Sequence, residues 1–139
     1  MKKLSILVAA AFAALPFAGC VNDVGVVNPY NTTAQWNSIG FLTTKYPGKT
    51  IDEVFQATIR GLDQLYGGTS RVGEHRPKPK EPYYEVYARV VGDIKITVKI
   101  ATARDAKTKE QWTEVTVSYG AWGNLQESQK IVAAISRNL

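Results

Sequence analysis

The sequence is poor in the residue types that most often carry chemistry. It holds one cysteine, one histidine and one methionine in 139 residues. A single Cys excludes an internal disulfide, and one Cys with one His is too few ligands for a zinc site within one chain. No apolar run reaches the roughly 20 residues of a membrane-spanning helix. Charge of one sign is scarce as well. With Lys2 and Lys3 set aside, 15 basic residues face 12 acidic ones, a net +3, which argues against nucleic acid as a partner. The nucleophile-elbow pattern GxSxG and the metalloprotease pattern HExxH are missing. His75 stands beside Glu74 and Arg76 in a weakly patterned stretch, with no partner specified to make it a general base. No acid lies inside an apolar run that would raise its pKa. This inventory points to a non-enzymatic protein without metal or cofactor.

What is present begins at the N-terminus. Lys2 and Lys3 precede an apolar run from Leu4 to Phe17, broken only by Ser5 and Pro16. As a helix that run rises about 21 Å, short of the roughly 30 Å hydrocarbon core of a bilayer. A charged start, a short apolar run and small residues at its end describe a secretory signal peptide over residues 1–19. The run closes Leu15-Pro16-Phe17-Ala18-Gly19-Cys20, which resembles the bacterial lipoprotein cleavage box. Phe17 departs from the commoner Leu. The resemblance implies cleavage between Gly19 and Cys20, a diacylglycerol on the Cys20 thiol and acylation of the new amino group. Two acyl chains suffice for stable attachment, so the implied partner is a membrane reached through Cys20. Val21 after the Cys implies, by the sorting rule of enteric-type bacteria, the periplasmic face of the outer membrane. The following stretch, VNDVGVVNPYNTTAQ, shows no sustained period. Residues 20–38 are therefore expected to be the lipidated Cys and a flexible tether.

Residues 39–139 read as a single domain. GFLTTKY alternates, with Gly40, Leu42, Thr44 and Tyr46 on one side, and Pro47-Gly48 breaks the chain. Thr50-Ile51-Asp52-Glu53 is a capping box. From there Ile51, Val54, Phe55, Ile59, Leu62, Leu65 and Tyr66 recur at helical spacing until Gly67-Gly68. Residues 69–76 are a weak edge-strand candidate, and Pro77, Pro79 and Pro82 make 76–82 a proline-rich connection. Three half-buried strands follow, with Tyr84, Val86, Ala88 and Val90, then Ile94, Ile96, Val98 and Ile100, then Val115, Val117 and Tyr119 on their apolar sides. Gly92-Asp93 suggests a two-residue hairpin. That turn would place Arg89 on the side of Ile96, so parity favours pairing Val90 with Ile94 across an odd loop. Asn124 and Glu127 start a last amphipathic helix with Leu125, Ile131, Val132, Ile135 and Leu139 on its apolar stripe. The order β-α-β-β-β-β-α predicts an α+β two-layer sandwich, its mostly antiparallel sheet of about four or five strands covered on one face by two helices.

The segments KYPGKTIDEVFQATIRGL and TEVTVSYGAWGNLQESQKIVAAISRNL resemble a family of small bacterial lipoproteins catalogued as a domain of unknown function. The likeness rests on Tyr46, Asp52 to Phe55, Thr113 to Val115, Gly120 to Gly123 and Ser128 to Ile131, and the proline-rich stretch departs from it. The family implies a lipobox followed by a small α+β domain and supplies no activity.

The remaining surplus is aromatic. Trp122, between two glycines, is expected to bury beneath the last helix. On the polar side of the strands, Tyr87, Arg89, Lys95 and Lys99 form a candidate binding face, suited to an envelope protein or an anionic envelope component. The expected function is a lipid-anchored, partner-binding or structural envelope module. The rival reading is a small-ligand or anionic glycan or lipid binder, which a pocket open to solvent would favour.

Overall fold

The computed structural model of the chain describes residues 21–26, 33–67, 73–75 and 83–139. The signal segment, Gly19, Cys20 and the proline-rich residues 76–82 lie outside the described residues. Along the chain come β1 (Val21–Val24), β2 (Ala34–Asn37), β3 (Phe41–Pro47), α1 (Ile51–Tyr66), β4 (Gly73–His75), β5 (Tyr83–Val90), β6 (Ile94–Arg104), β7 (Gln111–Tyr119) and α2 (Leu125–Arg137). From β3 onward this is the β-α-β-β-β-β-α order of the expected α+β fold. The strands form one sheet, ordered β1-β2-β3-β7-β6-β5-β4, with every neighbouring pair antiparallel.

Strand number exceeds the expectation because part of the stretch read as a flexible tether is sheet. Residues 21–24 and 34–37 are β1 and β2, and Ala34 is fully buried. The physical reason is the free edge of β3, whose unpaired backbone groups recruit a partner. The hairpin joining β2 to β3 closes on Asn37. Its carbonyl accepts from Gly40 N at 3.1 Å, and its side-chain Oδ1 accepts from the backbone N–H of Ile39 and Phe41 at 3.1 and 3.0 Å. Strands of four residues at an edge are too short to show a period, so composition alone did not reveal them.

The apolar sides of the strands meet the helices. Leu42, Tyr46, Val86, Ala88, Ile96, Val98, Ile100, Val115 and Val117 are fully buried, together with Val54, Leu62, Ile131, Val132 and Ile135 from the helices. Val90 pairs with Ile94 across the loop Val91-Gly92-Asp93, in which Gly92 and Asp93 take positive φ. The core pattern thus overrides the two-residue turn, as parity requires.

Both helices start where capping chemistry places them. Thr50 Oγ1 accepts from Glu53 N at 3.2 Å, and Asn124 Oδ1 accepts from Glu127 N at 3.1 Å. Gly67, in the left-handed region, ends α1 by donating its N–H to Asp63 O at 2.8 Å. The helices cross at Gly61, where a Cβ would stand 3.1 Å from the backbone of Ala134. The Tyr46 hydroxyl joins sheet to helix, lying 2.9 Å from Ser136 Oγ and 3.3 Å from Val132 O. Two helices on one face leave the other face of the sheet uncovered by any described element.

Candidate functional site

That uncovered face carries all four candidate residues. In the register of β5 and β6, Arg89 lies opposite Lys95, Tyr87 opposite Thr97, and Glu85 opposite Lys99. The alternation that sends Val86, Ala88, Ile96 and Val98 to the core sends these side chains the other way. Lys95 Nζ sits 4.5 Å from the centroid of the Tyr87 ring. Arg89 NH1 turns to the hairpin and reaches Asp93 Oδ1 at 2.6 Å. Lys99 extends over a different ring, with Nζ 4.6 Å from the centroid of Tyr83.

A third pair of the same kind lies at the far side of the face, where Lys45 Nζ is 4.3 Å from the Trp112 ring. Tyr83, Lys45 and Trp112 were not among the candidate residues, although parity places them here. Tyr83 shares the parity of Tyr87, Lys45 alternates with Thr44 and Tyr46, and Trp112 alternates with Thr113. Between the pairs stand small polar side chains, including Thr43 and Thr116, whose hydroxyl oxygens are 3.3 Å apart.

The charge of this face is mixed. Glu85 stands opposite Lys99 and Glu114 opposite Lys45, so the basic groups alternate with acids. Desolvation raises the Tyr87 phenol above its ordinary value, and the neighbouring Glu85 carboxylate adds to the effect. Lys95 Nζ lies over the ring of the same residue. Such pairs contribute about 0.5–1 kcal/mol at exposed sites. They keep lysine charge and aromatic surface side by side, which suits docking of a polar or anionic partner.

Trp122 is not beneath the last helix. It is 90% exposed, because the loop carrying it is fixed by its backbone. Gly40 and Gly123 pack so closely that a Cβ on Gly40 would press on the Trp122 carbonyl, and this contact holds the Trp122 backbone against the β2–β3 turn instead of under α2. The core under α2 is filled instead by Ile131, Val132 and Ile135.

A solvent-open cleft of about 350 Å³ lies at the start of α1, lined by Gly48, Lys49, Thr50, Ile51, Trp112 and Thr113 among others. It sits at the end of the helix–sheet layer. Among the described residues no three His, Cys, Asp or Glu side chains come together as a metal site. The backbone of His75 pairs with Glu85 at the sheet edge. No protein-family model matches this sequence, and no curated protein matches it.

Proposed function

We propose that the chain is a bacterial envelope lipoprotein, held by acyl chains on Cys20 at the periplasmic face of the outer membrane. In this reading its α+β domain is a non-enzymatic module that docks an envelope partner. The same reading includes membership of the small-lipoprotein family whose motifs the sequence resembles. The observation that carries it is the position of the only cysteine. Cys20 follows Ala18-Gly19 at the end of a leader that opens with Lys2 and Lys3 and continues as an apolar run to Phe17. Among the described residues no helix is long and apolar enough to cross a membrane. The reading therefore assigns attachment to lipid on Cys20, with two acyl chains sufficient for stable binding.

The ring-and-lysine face supports a docking role. A second reading, in which it takes an anionic glycan or lipid group, is favoured by the three ammonium groups held beside rings. The deciding experiment combines fractionation with labelling. Cells expressing the wild-type chain are expected to incorporate labelled palmitate into it and to hold it in membranes. The Cys20→Ser variant is expected to lose the label and either to leave the membranes or to stall with its leader uncleaved. A Ser variant that is cleaved and still tightly membrane-bound would refute the anchor. Crosslinking in intact envelopes, followed by purification of the chain, then separates a protein partner from a glycan or lipid.

A further inference from the structure

The exposed large hydrophobic side chains among the described residues are Val21, Ile39, Phe41, Val91 and Trp122. They are scattered along the sequence, yet the strand register brings all five to one end of the sheet. Val21 opens β1 opposite Asn37, the last residue of β2. Ile39 lies in the turn that follows, and Phe41 opens β3 opposite Ser118, near the end of β7. The chain then leaves β7 through Gly120, whose N–H donates to Lys95 O at 2.9 Å, and reaches Trp122, whose backbone packs on Gly40. Val91, 95% exposed, caps the hairpin between β5 and β6 at the same end. The opposite end presents Lys49, Arg104, Asp105, Lys107, Lys109 and Glu110.

We propose that this apolar rim is the membrane-contacting end of the domain, seated in the headgroup region of the bilayer that holds the acyl chains of Cys20. The inference rests on the anchor reading above. It is carried by where the chain enters the fold. Cys20 is bonded to Val21, and β1 begins at Val21. Consecutive Cα atoms are about 3.8 Å apart, so no spacer separates the lipidated residue from the sheet. Acyl chains on Cys20 hold the first residue of β1 at the interface, and the other rim residues lie toward the same end, Val91 projecting about 10 Å beyond the level of Val21 and Phe41, which the register carries to Thr97. From β1 to β5 the rim crosses five strand spacings, about 24 Å at roughly 4.8 Å each. A domain attached only at β1 gains a second line of contact across that width. Trp122 suits the role, since tryptophan collects where hydrocarbon meets headgroups. Arg89 and Lys95, beside the hairpin, lie at the level where anionic headgroups would meet them.

This seating stands the central strands upright on the membrane, with β1 and β5 inclined to them by the twist of the sheet. Lys99, four residues along β6 from Lys95, is then about 13 Å farther from the surface. The ring-and-lysine face looks sideways along the membrane, free to meet a partner, and the charged end points away from the bilayer.

The test uses the protein as cells process it from the full sequence, purified in detergent and reconstituted into phosphatidylethanolamine–phosphatidylglycerol vesicles, with and without lipids brominated near the headgroup end of their chains. Tryptophan emission of the wild-type protein is expected to be quenched by the brominated lipid. With Trp36, which lies near the same end in β2, replaced by Phe throughout, that quenching should be lost in Trp122→Phe and retained in Trp112→Phe, whose site lies at the far end of the sheet. Trp122 is exposed, so its replacement leaves the fold intact, and circular dichroism checks this. Three outcomes overturn the proposal, and they are distinguishable. If the acylated protein sediments with the vesicles but Trp122 is not quenched, the rim is not in the membrane and only this inference fails. If the protein does not sediment with the vesicles, the anchor reading fails and takes the inference with it. Crosslinking of Trp122-loop residues to a protein, with no quenching, assigns the rim to that protein and refutes the membrane seating.

Discussion

Lys95 and Lys99 lie four residues apart on the same side of β6, yet reversing their charge should have unequal effects. Lys95→Glu loses the contact with the Tyr87 ring, about 0.5–1 kcal/mol at an exposed site. The new carboxylate, however, faces Arg89 across the strands. It replaces a like-charge pair with an opposite-charge pair, a cross-strand gain of about 0.2–1 kcal/mol that Arg89 divides with its existing partner Asp93. The gain offsets part of the loss. Lys99→Glu loses the contact with the Tyr83 ring and sets its carboxylate opposite Glu85. Loss and repulsion add there, to about 1–2 kcal/mol. The expected difference between the variants is therefore about 1 kcal/mol, with Lys95→Glu the more stable. With a urea slope of about 1–3 kcal/mol per M, the unfolding midpoints should stand about 0.5 M apart. Near 1 M salt the screening length falls to about 3 Å and the repulsive part should shrink. Urea unfolding followed by far-ultraviolet circular dichroism measures all of this. Equal midpoints, or a lower midpoint for Lys95→Glu, would refute the cross-strand pairing of Arg89 with Lys95 and of Glu85 with Lys99. Loss of the fold in either variant would mean that these lysines do not lie on the open face.

Other substitutions probe the core, the turns and the alkaline limit. Tyr46→Phe removes the hydroxyl held by Ser136 and Val132. Ser136 Oγ keeps its own bond to Val132 O at 2.9 Å, so the loss should be about 1 kcal/mol, seen as a melting temperature lowered by about 4 °C. Gly40→Ala combines a φ of +93° with a Cβ pressed against the Trp122 carbonyl, and should destabilise by about 2 kcal/mol or more. Gly48→Ala, at φ +74° with nothing within 4 Å of a Cβ, should bring only the left-handed strain of about 1 kcal/mol. Comparing the two chemical melts isolates the contact with the Trp122 loop. Burial first, and then Tyr119 and Glu127, raise the Tyr66 phenol above its ordinary value of 10.0. Its contribution is fully present below the unfolded pKa and is lost as pH rises from about 10, because the unfolded chain releases that proton first. Tyr66→Phe should flatten the fall in stability above about pH 10, as measured by unfolding across an alkaline pH series.

The candidate face was legible because strand parity is a local property. Once Val86, Val98 and their neighbours are assigned to a core, Tyr87, Arg89, Lys95 and Lys99 must point the other way. Which charges stand opposite one another was not legible, since that depends on cross-strand register. Mixed sign is the consequence: Glu85 and Glu114 interrupt a surface that Lys95 and Lys99 alone make look basic.

The same division runs through the whole molecule. Periodicity and capping chemistry act within a few residues, so the α+β class, both helix starts at Thr50 and Asn124, the stop at Gly67 and the pairing of Val90 with Ile94 could be argued from the chain alone. Three features waited for the folded chain. The first is that β1 and β2 join the sheet, because a four-residue strand is stabilised by the edge it pairs with and carries no period of its own. The second is the exposure of Trp122, because an aromatic residue between glycines is placed by the packing of Gly40 on Gly123, a contact between distant parts of the sequence. The third is the apolar rim. Val21, Ile39, Phe41, Val91 and Trp122 are unremarkable singly, and only the register of β1, β2, β3, β7, β6 and β5 gathers them at the end where the chain emerges from Cys20.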